Sequence, residues 1–168
     1  PSQVVPLSNI RETDAMWARR VWREIDLREK INHPLYFPLE PIEDRQCLFD
    51  VIRNALLSEG SITAYDPGPL LQDDAFTDPL TQAEIEALFH RRDTVYTEDL
   101  ETGELVPVVQ DIDIDAASIT RYLLKEDWVF DKQRGVMDIR IIGLAPMREV
   151  RGEDGELRGH APLFWLYY

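Results

Sequence analysis

"YLLKEDWVFDKQRGVMDIRIIGLAP", residues 122–146, is the stretch on which the fold turns. Met137, Ile139 and Ile141 alternate with Asp138 and Arg140. That period of two predicts a strand with one buried and one wet face. Residues 118–130 also read as strand, with a short helix possible at their start, so Trp128 and Phe130 share one face. Downstream, residues 146–161 carry three glycines and seven charges and read as a loop or a long hairpin tip. "PLFWLYY", residues 162–168, returns as a strand. It stops with no turn and no polar tail, and the expectation is that the protein continues past Tyr168.

The preceding half reads mainly as helices. Residues 13–30, "TDAMWARRVWREIDLREK", place Trp17, Val21 and Ile25 four apart behind a possible Thr13 cap, with Trp22 close to the same side and Arg19, Arg20 and Arg23 elsewhere. Pro34, Pro38 and Pro41 follow, and the strap at 31–43 should lie extended over the body, pinned by Leu35, Tyr36 and Phe37. Residues 44–60 form a second helix with a buried stripe of Leu48, Val51, Ile52, Ala55 and Leu56, stopped by Gly60. "SITAY" at 61–65 is a short strand, and residues 66–80 stay irregular. Thr81-x-x-Glu84 is a capping box that opens a helix with Ile85, Leu88 and Phe89 at helical spacing. Thr94–Thr97 and Leu105–Val109 read as a hairpin turning near Thr102-Gly103, with Pro107 making its second strand an edge. Residues 1–12 read as an extended arm and residues 13–168 as a single domain. The fold class is α+β, with N-terminal helices packed on an antiparallel β-sheet formed mainly by the C-terminal half.

The net charge of −14 is concentrated. Residues 66–115 hold fourteen acidic residues against Arg91 and Arg92. A polyanion would be repelled there, so nucleic acid is not an expected partner. The region is either a solvated face or a patch that steers a basic partner. With Cys47 alone there is no internal disulfide. No apolar run is long enough for a transmembrane helix. No signal peptide is visible at Pro1, which is not evidence for the cytoplasm.

Nothing in the sequence singles out a catalytic site. His33, His90 and His160 are scattered, without metal-ligand neighbours at helical spacing. "DIDID", residues 111–115, begins like a calcium loop but has Ala116 and Tyr122 where glycine and glutamate belong. It reads better as an extended segment with Asp111, Asp113 and Asp115 on the solvent side. Gly152, Gly155 and Gly159 precede no helix and form no phosphate cradle. Cys47 reads as a small buried residue in mid-helix rather than a nucleophile. No metal, cofactor or enzymatic activity is expected. What remains is aromatic residues amid charge. Trp128 and Phe130, flanked by Glu126, Asp127, Asp131, Lys132 and Arg134, are either core or an aromatic anchor rimmed by charge. The same two readings apply to Trp17 and Trp22 with Arg19, Arg20 and Arg23. The candidate partner interface is Trp128, Phe130, Lys132, Arg134, Trp22, Arg19, Arg23 and Tyr36.

"WREIDLREKINHPLYFPLEP", "LFDVI", "GSITAYDP", "YLLKEDWVFDKQRGVMDIRIIGLAP" and "PLFWLYY" resemble, in order, signature segments of the GldN/PorN family of the type IX secretion and gliding-motility machinery of Bacteroidetes. The resemblance runs from about Val21 to Tyr168 and is least over 90–118. It implies a non-catalytic periplasmic protein at the outer membrane, without a cofactor, that self-associates in a ring with a GldK/PorK-type lipoprotein. It also implies contact with the periplasmic part of a GldM/PorM-type motor protein. A ring requires two different faces per subunit, for which the arm, the strap and open strand edges are candidates. The competing readings are a carboxylate-based hydrolase of cell-envelope glycans, which needs two facing carboxylates with perturbed pKa values, and a small peptide- or sugar-binding module with a groove lined by tryptophans.

Overall fold

The computed structural model describes residues 15–98, 103, 105–152 and 155–168. The arm read at 1–12, the Thr13 cap and Thr102 of the hairpin turn lie outside these residues. The elements begin with strand β1 (Ala15–Asp26), a 3-10 turn (Lys30–Asn32) and the one-turn helix α1 (His33–Tyr36). Helix α2 (Leu48–Asn54) follows, with a π-helical continuation (Ala55–Glu59), then strand β2 (Ala64–Tyr65) and helix α3 (Gln82–Phe89). Next come strands β3 (His90–Glu98) and β4 (Leu105–Asp113) and a 3-10 turn (Ala116–Ser118). The chain closes with β5 (Arg121–Asp131), β6 (Val136–Arg151), β7 (Leu157–Pro162) and β8 (Trp165–Tyr167). One antiparallel sheet has the order β1-β5-β6-β8-β2, with β7 also on β6, and β3 and β4 form a separate two-stranded sheet. The class is α+β, and four of the six strands of the main sheet come from the C-terminal half.

The first predicted helix is a strand. Residues four apart share a face in a strand as well as on a helix, so Trp17, Val21 and Ile25 satisfy both periods. Tertiary pairing decides between them. β1 runs antiparallel to β5 from Trp17↔Phe130 to Asp26↔Arg121. Arg20 grips Asp127 across the ladder with N–O distances of 2.6 and 2.8 Å. The period of two also moves Trp22 to the face opposite Trp17, away from the side the helical reading gave it.

The strap is not extended throughout. Pro34 occupies the first turn of α1, where its missing N–H is not needed. Leu35 and Tyr36 pack on the core while Phe37 stays exposed. In α2 the buried residues are Phe49, Asp50 and Ile52, continued by Leu56, whereas Val51 is exposed. Cys47 is buried but caps α2 rather than lying within it. Its Sγ accepts from Asp50 N at 3.5 Å, and burial pushes its thiol pKa up. Gly60 ends the helical segment in the left-handed conformation, with φ 60°.

The Thr81–Glu84 capping box is formed in both directions. α3 has only eight residues, so its cap is a large share of its stability. Thr81→Ala is expected to cost about 1 kcal/mol, read as a lower urea midpoint with an unchanged m-value.

α2, the π turn and α3 cover one end of one sheet face. There Phe49, Phe89 and Phe164 stack, with ring centroids 5.8 and 6.1 Å apart, against Tyr122, Ile25 and Leu144. Ile142 is an extra residue in β6, because Lys125↔Gly143 is followed by Glu126↔Ile141. This bulge places Met137, Ile139 and Ile141 on the same face as Leu144 and Pro146, although their parity in sequence differs.

The opposite face is crossed by residues 66–80. Asp74 accepts from Trp22 Nε1 at 2.7 Å and pairs with the buried Lys125 Nζ at 3.1 Å. That ammonium lies 4.8 Å from the centroid of Phe76. The Phe76 ring also packs against Tyr65, Trp165 and Tyr167. It approaches the backbone so closely that a Cβ on Gly143 would stand 2.6 Å from Phe76 Cζ.

Candidate protein-docking face

The helices stop short of the other end of the first face. Its open half presents Trp17, Arg19, Val21 and Arg23 from β1, Glu126, Trp128 and Phe130 from β5, and Met137, Ile139 and Ile141 from β6. The alternation predicts the β6 residues to be buried. In the structure Met137 is 46 %, Ile139 45 % and Ile141 37 % exposed, and Trp17 is 44 % exposed. The alternation that predicted them reflects a common face and carries no information on whether another layer covers it. Asp138 and Arg140, read as the wet side, are half-buried and lie 3.3 Å apart.

An ion pair is set into this apolar surface. Glu126 has no exposed side-chain surface, yet the Arg23 that neutralises it is 54 % exposed. Arg23 Nη2 and Nε donate to the two carboxylate oxygens at 2.7 and 3.3 Å, and Trp128 Nε1 donates at 3.0 Å. Burial pushes the Glu126 carboxyl up, but these hydrogen bonds and the Arg23 charge outweigh it and hold the group below its ordinary value. Satisfied in this way, the carboxylate fixes the Trp128 ring in the open face. Arg19, opposite Trp128 in register, makes no hydrogen bond or ion pair with another described residue. The site is therefore an apolar sheet surface with cationic side chains at its β1 margin, the composition of a docking hot spot.

The structure brings together Trp128, Phe130, Arg19 and Arg23 of the predicted interface, and it separates the rest. Trp22 is on the opposite face under Asp74. Lys132 and Arg134 lie in the turn between β5 and β6, where Arg134 donates to Asp131 at 2.6 Å. Tyr36 is half-buried on α1, its hydroxyl 3.4 Å from the Ala117 carbonyl.

Elsewhere the acidic residues have structural tasks. Asp66 and Asp73 accept from Gly68 N and Ala75 N, each at 2.8 Å. Asp115 caps the 3-10 turn, accepting from Ser118 N at 2.9 Å. His90 Nδ1 is 2.7 Å from the Asp113 carboxylate. Every described carboxyl with a displaced pKa is displaced downwards: Asp26, Glu84, Asp115, Glu126, Asp127 and Asp131. A glycosidase acid needs the opposite shift. Among the described residues no three His, Cys, Asp or Glu side chains converge as metal ligands. A cleft of about 440 Å³ on the second face is lined in part by Trp22, Asp74, His160 and Trp165.

The model of a protein family, described as gliding motility associated protein GldN, matches residues 10–168. No curated protein matches the chain.

Proposed function

The chain belongs to the GldN family of gliding-motility-associated proteins, and from that premise we propose that it is a non-catalytic structural component of type IX protein secretion and gliding motility. In this reading it works in the periplasm at the outer membrane. It forms a ring with a GldK/PorK-type lipoprotein and contacts the periplasmic part of a GldM/PorM-type motor protein. In this reading the lipoprotein provides the attachment; among the described residues no helix is long and apolar enough to cross a membrane.

The observation that carries the reading is the open half of the sheet face. A contiguous surface of exposed Trp17, Met137, Ile139 and Ile141 beside half-buried Trp128 and Phe130 is costly to leave in water and marks a protein contact. Ile139→Asp places a charge in its middle without touching the core. The variant is expected to keep the wild-type melting curve and to lose at least tenfold in affinity for the co-expressed lipoprotein. Unchanged co-purification would remove this face from the interface. Negative-stain imaging of the full-length protein with its lipoprotein tests the assembly itself: rings support it, and isolated particles overturn it.

A second reading, a small peptide- or sugar-binding module, draws on the cleft between Trp22 and Trp165. It predicts quenching of tryptophan fluorescence on titration with oligosaccharide or peptide, a response the scaffold reading does not require.

A further inference from the structure

Among the described residues, two of the strand edges without partners have matching backbone phases. Leu27 N donates to Thr120 O at 2.9 Å, which makes Leu27 and Thr120 a hydrogen-bonded pair continuing the β1–β5 register. Because antiparallel pairs alternate, the odd residues of β1 from Trp17 onward bond to β5. The N–H and C=O groups of Ala18, Arg20, Trp22 and Glu24 therefore point away from the sheet. Asp26 O confirms the phase, since it is met on that outer side by Asn32 Nδ2 at 2.8 Å. The four residues before it have no such backbone partner among the described residues. From Trp17 to Asp26 this edge contains no bulge and no proline, two of the devices that normally blunt an edge.

The second edge belongs to the hairpin. Ile114 N donates to Phe89 O at 3.0 Å, so the same alternation turns the backbone groups of His90, Arg92, Thr94, Tyr96 and Glu98 outward from β3. Pro107, opposite Tyr96, falls in the outward phase of β4. It thus costs the hairpin no ladder bond and interrupts the outer edge of β4 instead. β3 is left as the continuous edge of a ribbon that pairs with no other strand among the described residues. A two-stranded ribbon by itself is marginal in water.

We propose that the outer edge of β1 in one copy pairs antiparallel with the outer edge of β3 in a second copy, joining the six-stranded sheet of one to the hairpin of the next. Setting Ala18 opposite Glu98 aligns the outward residues of both strands, even number against even number. The same register places Arg23 opposite Asp93 and Glu24 opposite Arg92, an arrangement of opposite charges that favours pairing. The contact uses two different surfaces of one chain, so it propagates head to tail and closes only by rotation. It rests on the reading of the chain as a self-associating scaffold and names the contact that the reading requires.

Proline substitution tests it with little damage to either ladder, because both target N–H groups face outward. In sedimentation velocity, full-length wild type is expected to associate beyond dimers as concentration rises. Ala18→Pro alone and Tyr96→Pro alone should each remain monomeric at those concentrations, with wild-type circular dichroism. Their equimolar mixture should form a species of two copies and no more, since only one competent junction remains. Independently of folding changes caused by proline, Ala18→Cys and Glu98→Cys variants mixed and oxidised should cross-link to each other, the opposed Cα atoms being within disulfide reach. Loss of association in Ala18→Pro but not in Tyr96→Pro, with Ala18→Cys cross-linking to itself, would replace the proposal by a β1–β1 junction. Wild-type association in both variants without cross-linking would overturn the junction and leave the scaffold reading intact. A wild type that stays monomeric, alone and with its lipoprotein, would overturn both.

Discussion

Arg23→Ala is expected to destabilise the protein by about 3 kcal/mol near neutral pH, at the lower end of the cost of stranding one member of a buried ion pair. The lower end applies because Arg23 is itself half exposed and its charge is partly screened. The substitution removes two of the three hydrogen bonds to the buried Glu126 carboxylate and leaves Trp128 Nε1 as its remaining donor. Linkage gives the pH dependence. In the wild type Glu126 has a folded pKa below its unfolded value. Its contribution is therefore fully present above the unfolded pKa and is lost as pH falls through the folded one. In Arg23→Ala the dominant influences left are burial, which raises the pKa, and a single hydrogen bond. Protonation then relieves the stranded charge, so the gap between variant and wild type should narrow as pH falls from neutral into the carboxylate range. Urea titrations of both proteins across that range measure it, and a gap that stays constant with pH would show that Glu126 is not the group left stranded. Arg23→Ala combined with Glu126→Gln should recover part of the loss at neutral pH.

Gly143→Ala is expected to cost about 2 kcal/mol, within the range for overpacking a filled site. The added methyl would stand 2.6 and 2.9 Å from Phe76 Cζ and Cε1 and 3.3 Å from the Leu166 carbonyl. Phe76 has little room to retreat, because its ring is held among Tyr65, Trp165 and Tyr167 and its own backbone has φ 58°. The 66–80 segment must therefore lift, and Asp74 is drawn from Trp22 and Lys125 with it. The check is a double-mutant cycle with Phe76→Leu. A smaller side chain should absorb the methyl, so the two substitutions together should cost less than their sum. Strict additivity would show that the close approach carries no strain.

Much of the fold was legible in the sequence, in particular residues. The alternation at Met137–Ile141, the capping box at Thr81–Glu84, the stop at Gly60 and the Pro107 hairpin are local signals, and each corresponds to an observed element. The candidate interface was legible only in part. Trp128, Phe130, Arg19 and Arg23 do share a surface, whereas Trp22, Tyr36, Lys132 and Arg134 lie elsewhere. The error at Trp22 follows from the error in secondary structure, because one wrong period turns a side chain to the other face. Met137, Ile139 and Ile141 were missed as surface residues because apolar alternation is the same for a covered and an uncovered face, and Trp17, which reads as either core or anchor, is outside the candidate interface.

By itself the sequence determined the family, the α+β class and the placement of most elements, since periodicity, caps and turns are local and survive without knowledge of neighbours. Only the tertiary structure decided that residues 15–26 are a strand, because a four-residue spacing is common to both periods and the ladder with β5 resolves it. Only the tertiary structure decided where the core ends and the open half of the sheet face begins. α2 and α3 reach Tyr122 and Leu144 but leave Trp17 and Ile139 exposed, and how far a helix extends over a sheet depends on packing between segments distant in the chain.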